Sequence, residues 1–505
     1  MNLVTSDMIS RIDSYAERCL DIPTVELMGR SADAVCAVAQ ELANRGDSII
    51  ILAGKGNNGG DGYAAAIRLS KNFRVKIYDV FSAGQRSDAG KFYMNKARYL
   101  GIEICEPSRF DSLRQDLMTA DLVIDAVFGT GFAGKTPNFI IQISEILNES
   151  PARCLAVDIP IGINADTGEA EPFALRCDAT VALSFGKPGI FSYPARDYVG
   201  KITVCDLGLD PDLLSREFAF KNYYTDHALA CSLLPTRPEN TSKGNFGKVL
   251  LIVGSDKYRG AAHLCLESSL RGGAGYTTCI GTDSLCAELR MRFPESIYVS
   301  SDNFGAVDEI CALSSKQSAT VIGCGSDCTE ELYCLTAALI QTHGSALIVD
   351  ADAINAISKY GSPDIFKQAN RKIILTPHPL EMSRLCGISS DEINSKRLSI
   401  SRDFAKKYGC ILVLKGAATV ITDGEYTYIN GSGSSALAKA GSGDTLAGLM
   451  ASLCACGNKS PLEMAALAVY IHGKAGDNLS DKLSDFGVTP SDLPLEFAKV
   501  IKSLK

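Results

Sequence analysis

At 505 residues the chain is longer than one hydrophobic core supports, and two large domains are expected. Charged residues make up 21% of it and the formal net charge is −8, which leaves no electrostatic case for nucleic acid or an anionic membrane surface as a partner. The 18 cysteines are scattered, with no C-x-x-C pair and no matched second half for zinc, so reduced thiols in a cytoplasmic protein are expected.

The opening residues, Met1 to Asp7, lack the basic and apolar regions of a signal peptide, and no apolar run reaches membrane-spanning length. Residues 1–45 read as helical, with Met8, Ile12, Tyr15 and Ala16 on one face. Residues 48–53 follow as an apolar strand without alternation, the pattern of a strand buried on both faces. A glycine-rich turn at 54–62, a helix over 63–71 and a strand over 74–80 complete a βαβ unit.

Gly54, Gly56 and Gly59 satisfy G-x-G-x-x-G, with Asp79 about 20 residues on, which taken alone says NAD-dependent dehydrogenase. The turn is unusually polar, however. Asn57, Asn58 and Asp61 offer oxygens to a hard cation or to a ligand's amide and hydroxyls, unless they serve only to shape the turn. Three more strands follow. One ends at Asp125 before the loop 129–135, one ends at Asp158, and one runs over 180–185. Ligands of open α/β sheets bind beyond the carboxyl ends of strands, so Asp61, Asp125 and Asp158 are candidates to converge, each also being a possible cap or turn residue.

This half resembles the epimerase domain of the bifunctional NAD(P)H-hydrate repair enzymes, through NNGGDG at 57–62, DAVFGTGFAG at 125–134 and DIP at 158–160. The resemblance covers about residues 1–215 and implies a Rossmann-like three-layer fold. It also implies substrate contacts from Asn57, Asn58, Gly59, Gly60 and Asp61, from Gly129, Thr130, Gly131, Phe132, Ala133, Gly134 and Lys135, and from Asp158. Potassium is implied at Asn58 and Asp125. The family's D-x-P-S-G reads Asp158-Ile159-Pro160-Ile161-Gly162 here, so Ile161 has only its backbone to give as a third ligand.

Residues 208–227 show no clear period and are assigned as the linker. Strands at 248–253, 276–280, 320–323, 346–350, 372–376 and 411–414, mostly spaced by helical patterns, predict a second, larger α/β domain. Two prolines pin His378 after one strand, and Lys415 to Thr419 follow another, where backbone groups can meet a nucleotide. Asp350 and Asp352 read as two carboxylates on one strand face, suited to magnesium or to capping the next helix. Near the end, the turn Gly441-Ser442-Gly443 opens onto an apolar helix. Glycines admit a phosphate and first-turn amides point at it, while Asp444 either meets the group facing that phosphate or caps the helix.

Residues 228–505 resemble the ribokinase-like dehydratase domain of the same enzymes, through KGNFGKVLLIVGS at 243–255, RGAA at 259–262, TPHPLE at 376–381, KGAAT at 415–419 and AGSGDTLAG at 440–448. Ser242 stands where the family has His. The resemblance implies that Ala261, Gly325, His378 and Asp444 contact the hydrated nucleotide, and that Lys415, Gly416, Ala417, Ala418, Thr419 and Gly443 contact ADP or AMP. The activity so implied is repair of NADHX and NADPHX: the first domain epimerises the C6 hydroxyl with K⁺. The second dehydrates the S form with ADP and Mg²⁺. Position and chemistry make Asp444 the candidate general base and Asp158 the candidate acid–base group. A homo-oligomer is expected. The rival readings are a ribokinase-like vitamin or sugar kinase with a non-catalytic N-terminal ligand-binding domain, and the dehydrogenase above.

Overall fold

The computed structural model describes residues 1–81, 86–106, 110–132, 134–301 and 307–505. The chain divides into two compact units, Asn2–Asn222 and Tyr223–Lys505, with Met1 grouped with the second. The stretch assigned as linker carries elements of its own, a helix over Pro211–Glu217 and a strand over Asn222–Thr225.

The first unit is a sheet of seven parallel strands: β1 Ser48–Ala53, β2 Arg74–Asp79, β3 Glu103–Cys105, β4 Leu122–Ala126, β5 Arg153–Val157, β6 Ala179–Leu183 and β7 Lys201–Cys205, ordered β3-β2-β1-β4-β5-β6-β7. Successive side chains of a strand point to opposite faces. Ile49 and Ile51 therefore enter one core with Val35 and Ala39 and with Ala64 and Leu69, while Ile50 and Leu52 enter the other. Both faces are covered, which is why β1 is apolar throughout. Helices α1 Ser6–Cys19, α2 Thr24–Leu42 and α3 Asn57–Leu69 precede or follow β1.

Strand order reverses at β1, so a crevice opens between the carboxyl ends of β1 and β4. The glycines of the β1–α3 turn are needed for close approach. A Cβ at Gly54 would lie 1.9 Å from the Val127 carbonyl oxygen, and one at Gly59 would lie 1.9 Å from that of Gly54.

The second unit has β8 Lys248–Ile252, β9 Tyr276–Gly281, β10 Ile297–Ser300, β11 Ala319–Ile322, β12 Ala346–Val349, β13 Ile373–Leu375, β14 Ile411–Leu414, β15 Val420–Thr422 and β16 Thr427–Asn430. They run β16-β15-β14-β13-β12-β11-β8-β9-β10. Pairing is parallel from β10 to β14 and antiparallel from β14 to β16. Two cores again flank the sheet, Val249 and Leu251 in one and Leu250 and Ile252 in the other. Helix α4 Arg259–Gly272 packs tightly on α7 Ser442–Cys456: a Cβ at Gly448 would lie 2.0 Å from the Cys265 carbonyl oxygen. Between them in sequence come α5 Ala351–Tyr360 and α6 Pro379–Cys386, and α8 Pro461–Gly487 follows. No described helix is long and apolar enough to cross a membrane.

Asp350 is not on a strand face with Asp352. It is the residue after β12, in the N-cap position of α5, and Asp352 lies within that helix. The backbone has already turned at Ala351, whose φ is +47°, so strand alternation no longer applies.

Candidate functional site

In the first unit a cavity of about 530 Å³ opens at the carboxyl ends of the strands. One wall is helical, from α1 (Asp13, Glu17) and α2 (Leu27, Ser31); the other is made by the strand-end loops. Asn57, Asn58, Asp61, Gly129, Thr130, Gly131, Phe132 and Asp158 all line it. Gly59, Gly60, Gly134 and Lys135 do not line this cavity, and Ala133 lies outside the described residues. Gly60 has a packing task, since a Cβ there would meet the Met28 thioether at 2.6 Å.

Asp158 is the anchor. It is buried, its φ of +72° is left-handed, a strained conformation for a residue with a Cβ, and its carboxylate pairs with the buried ammonium of Lys187. The amides of Thr130 and Leu183 also donate to it, at 3.2 and 3.3 Å, and Lys187 donates to the Leu183 carbonyl at 2.7 Å. Asp61 and Asp13 have no ion-pair partner among the described residues. Burial, with Asp158 adding to it, pushes Asp61 well above the usual carboxylate range. Burial pushes Asp13 up to about 6, partly opposed by Lys187.

Asn58 donates through Nδ2 to the carbonyls of Phe128 and Val157, at 2.7 and 3.0 Å, while its Oδ1 is buried with no partner. Asp125 is wholly buried and accepts from the amides of Val127 at 3.1 Å and Ile161 at 2.9 Å; burial pushes it up to about 7. An orphaned carbonyl oxygen and a carboxylate with no cation are donors of the kind that suit an alkali-metal ion. The Ile161 carbonyl already accepts from Leu175 at 2.9 Å, which leaves it one lone pair.

Asp79, the acid that the dehydrogenase reading needs for a ribose, is held instead by Arg86, which also donates to the Gly54 carbonyl at 2.7 Å. That pairing takes the carboxylate away from any ligand.

In the second unit Asp350 is buried at the strand ends and kept below the usual range, because Lys415 and the Thr376 hydroxyl outweigh the cost of its burial. Lys415 donates to Asp350 at 2.8 Å and lies 3.8 Å from Glu381. The Thr376 hydroxyl donates to Asp350 at 2.7 Å and the Cys324 thiol at 3.4 Å. Gly441, at φ +101°, occupies the N-cap position of α7, so Asp444 is inside the first turn rather than capping it. Burial first, then the neighbouring Asp350 charge, pushes Asp444 up to about 7. Cys324, Asp350 and Asp444 have ligand atoms within 4.8 Å of one another.

Of the residues expected to meet the nucleotide, Lys415 and Gly443 lie together here. A Cβ at Gly443 would be 3.5 Å from the Lys415 ammonium and 3.8 Å from an Asp350 oxygen. Ala417 is exposed beside it in the loop, Ala418 is left-handed at φ +50°, and Thr419 donates to the Gly416 carbonyl at 2.8 Å. Gly325 packs against Ala261, where a Cβ would come within 2.7 Å of the alanine methyl. His378 caps α6: its Nδ1 accepts from the amides of Leu380 and Glu381, at 3.1 and 3.2 Å, while its own amide donates to Glu381 at 2.8 Å.

Sequence reasoning missed Asp13, Lys187, Glu381 and His472. Lys187 had a signal, a lysine between Gly186 and Pro188 just beyond a strand. His472 on α8 lies buried against the Ser442 carbonyl at 3.0 Å, and burial holds it down at about 4. Nothing near it in sequence marks that contact.

Two parallel-sheet units, each with a carboxylate–lysine pair at its strand ends and the second with a glycine turn at a helix N-terminus, define a two-domain α/β enzyme. The profile of the family described as NAD(P)H-hydrate dehydratase matches residues 249–498, and that of the YjeF-related protein N-terminus matches 24–189. The bifunctional NAD(P)H-hydrate repair enzyme of Thermofilum pendens is 32% identical over 517 aligned residues, covering 100% of this chain and 97% of its own. That of Escherichia coli is 30% identical, covering 97% and 92%. Among solved structures, the ADP/ATP-dependent NAD(P)H-hydrate dehydratase of Bacillus subtilis superposes with a TM-score of 0.52 at 26% identity, over 56% of this chain and 99% of that one. The chain belongs to the family of bifunctional NAD(P)H-hydrate repair enzymes.

Proposed function

We propose that the chain restores hydrated NADH and NADPH, its first unit interconverting the C6 epimers and its second dehydrating the S form with ADP or ATP. The observation that carries this reading is Asp444, raised to about 7 and set inside the first turn of α7 opposite the Lys415–Asp350 pair. Hydroxide is a poor leaving group, and a phosphate ester leaves far more readily. Asp444 accepts the C6 hydroxyl proton as that oxygen takes the terminal phosphoryl group, and AMP departs when the donor is ADP. The Ser442 amide is taken by the Lys439 carbonyl at 3.2 Å, so the amides facing the phosphoryl group are those of Gly443 and Asp444. Loss of the C5 proton and of phosphate then restores the C5=C6 bond.

In the first unit Asp158 serves the C6 centre as acid–base group, held in place by Lys187. Potassium fits Asn58 Oδ1 and Asp125, with the Ile161 carbonyl as a further donor, and would supply a fixed positive charge there. Magnesium does not fit Asp350 and Asp352. The first is occupied by Lys415, and the second accepts from the Asp327 amide at 3.0 Å. No step is assigned to it.

The test supplies a mixture of hydrate epimers with ADP or with ATP and follows the absorbance of the reduced nicotinamide. Full recovery with release of AMP and phosphate from ADP supports the proposal. A stable phosphorylated product would make the second unit a kinase.

A further inference from the structure

Inversion at C6 is demanding in a way the Asp158–Lys187 pair alone does not meet. C6 bears both the hydroxyl and the ring nitrogen N1, so it is a hemiaminal carbon. Protonation of the hydroxyl lets the C6–O bond break with release of water, its electron pair leaving with oxygen while N1 donates its lone pair to form a planar iminium. Water then adds to the other face and gives up a proton. Atoms and charge balance: one proton is taken from an acid, one is returned to a base, and the base sits across the ring from the acid. The same two-sided requirement governs inverting glycosidases.

The geometry points to Asp13 as the second acid–base group of the epimerase site, acting on the ring face opposite Asp158. It deepens the epimerase reading above and rests on it. Asp13 and Asp158 line the same cavity from different walls, Asp13 on α1 and Asp158 at the end of β5, so a ring bound between the walls has a carboxyl toward each face. Asp13 is open to the cavity, as a group that meets substrate must be, and it has no ion-pair partner among the described residues. Asp158 is fixed in an ion pair and suits the role of proton acceptor from the entering water. Desolvation by the surrounding cavity walls raises Asp13 to about 6, close enough to neutrality for it to donate and recover a proton. The charged groups facing it are Lys187 and Asp158 from the strand ends and Asp61 from α3, and Glu17 and Lys55 share the cavity wall. Asp61, at the start of α3, is buried and less open to the cavity than Asp13.

The experiment uses the full chain, the purified R epimer of hydrated NADH, and ADP, with the spontaneous epimerisation rate subtracted. Asp13→Asn lowers recovery from the R epimer by about 10²–10⁴-fold. The same variant given the S epimer keeps the wild-type dehydration rate, and the thermal unfolding transition of the first unit is unchanged, which together show that both units are folded. Asp13→Glu restores part of the epimerisation, and the wild-type kcat/KM for the R epimer has an inflection near pH 6 that Asp13→Asn abolishes. In heavy-oxygen water, each inversion places a labelled oxygen on C6. Epimerisation at the wild-type rate by Asp13→Asn overturns the assignment, and so does retention of the original oxygen, because ring opening at N1–C6 would then carry the inversion. A wild type that runs at the spontaneous rate overturns the epimerase reading itself, a separate outcome.

Discussion

The two units reach a similar arrangement by unrelated sequences. Each places a carboxylate just past a parallel strand, Asp158 after β5 and Asp350 after β12, and each pairs it with a lysine from a later loop. Each also has a left-handed residue with a Cβ at the spot, Asp158 itself at φ +72° and Ala351 at φ +47°. They differ in what stands beside the pair. The first unit adds Asp13 and Asp61, while the second adds Asp444 at a helix N-terminus and Glu381, 3.8 Å from Lys415. Inversion works on both faces of a ring and requires proton-transfer groups on both. Phosphoryl transfer to one oxygen requires a single base.

The comparison breaks most clearly at Asp444. Asp444→Asn is expected to lower nucleotide-dependent recovery of NADH from the S epimer by about 10²–10⁴-fold while ADP binding by calorimetry persists. A base acts when ionised, so the wild-type kcat/KM should climb with pH up to about 7 and then level off, and this limb should be missing in the variant. Near-normal turnover would leave the second unit without its base.

Lys415→Met tests the pair itself. It leaves Asp350 and Glu381 buried without their cation, and chemical denaturation should show a loss of about 3–5 kcal/mol in the second unit's transition. The double variant with Asp350→Asn should regain part of that loss, and a double variant no better than the single would mean the lysine contributes by packing. A smaller effect is expected at Asp125→Ala, which removes a negative donor from the site proposed for potassium. The potassium concentration needed for half-maximal epimerisation should rise at least about tenfold, roughly 1.4 kcal/mol of binding. An unchanged potassium response would place the ion elsewhere. The smallest change concerns only the nucleotide loop. Ala417 is exposed, so Ala417→Leu should fold normally and raise the KM for ADP several-fold with kcat kept. Weakened use of the hydrate with an unchanged ADP response would reverse the assignment of that loop.

Glycine turns and strand-end carboxylates were legible in the sequence because they are local: Gly54 to Asp61 and Gly441 to Asp444 each lead into a helix from one stretch of chain. The first helix nevertheless begins at Asn57, six residues before the expected 63, so that Asn57, Asn58 and Asp61 stand in its first turns. Most of the parallel strands were legible too, from apolar runs without alternation, but Glu103–Cys105, Lys201–Cys205 and Ile297–Ser300 were not, because they are partly exposed and lack such a run. Pairings across the fold were not. Lys187 lies 29 residues from Asp158, and Lys415 lies 65 from Asp350. Only the packing of separate strand ends brings them together, and a charged residue in a loop carries no mark of its partner. Asp13 was hidden for the opposite reason, since in an amphipathic helix it reads as one more polar residue on the outward face. The dinucleotide signature misled because Asp79 has the right spacing, and spacing does not reveal that Arg86 has taken it.

The cap at His378 limits what its ring can offer. With Nδ1 accepting from two backbone amides, the proton of the neutral imidazole belongs on Nε2, which lies 3.4 Å from the Glu381 carboxylate, and burial together with Lys415 disfavours a second one. Toward a ligand it is therefore a donor only. It can select a carbonyl or phosphate oxygen, but it has no lone pair with which to take a proton from the hydrate, and the ring should hold one tautomer throughout the catalytic cycle.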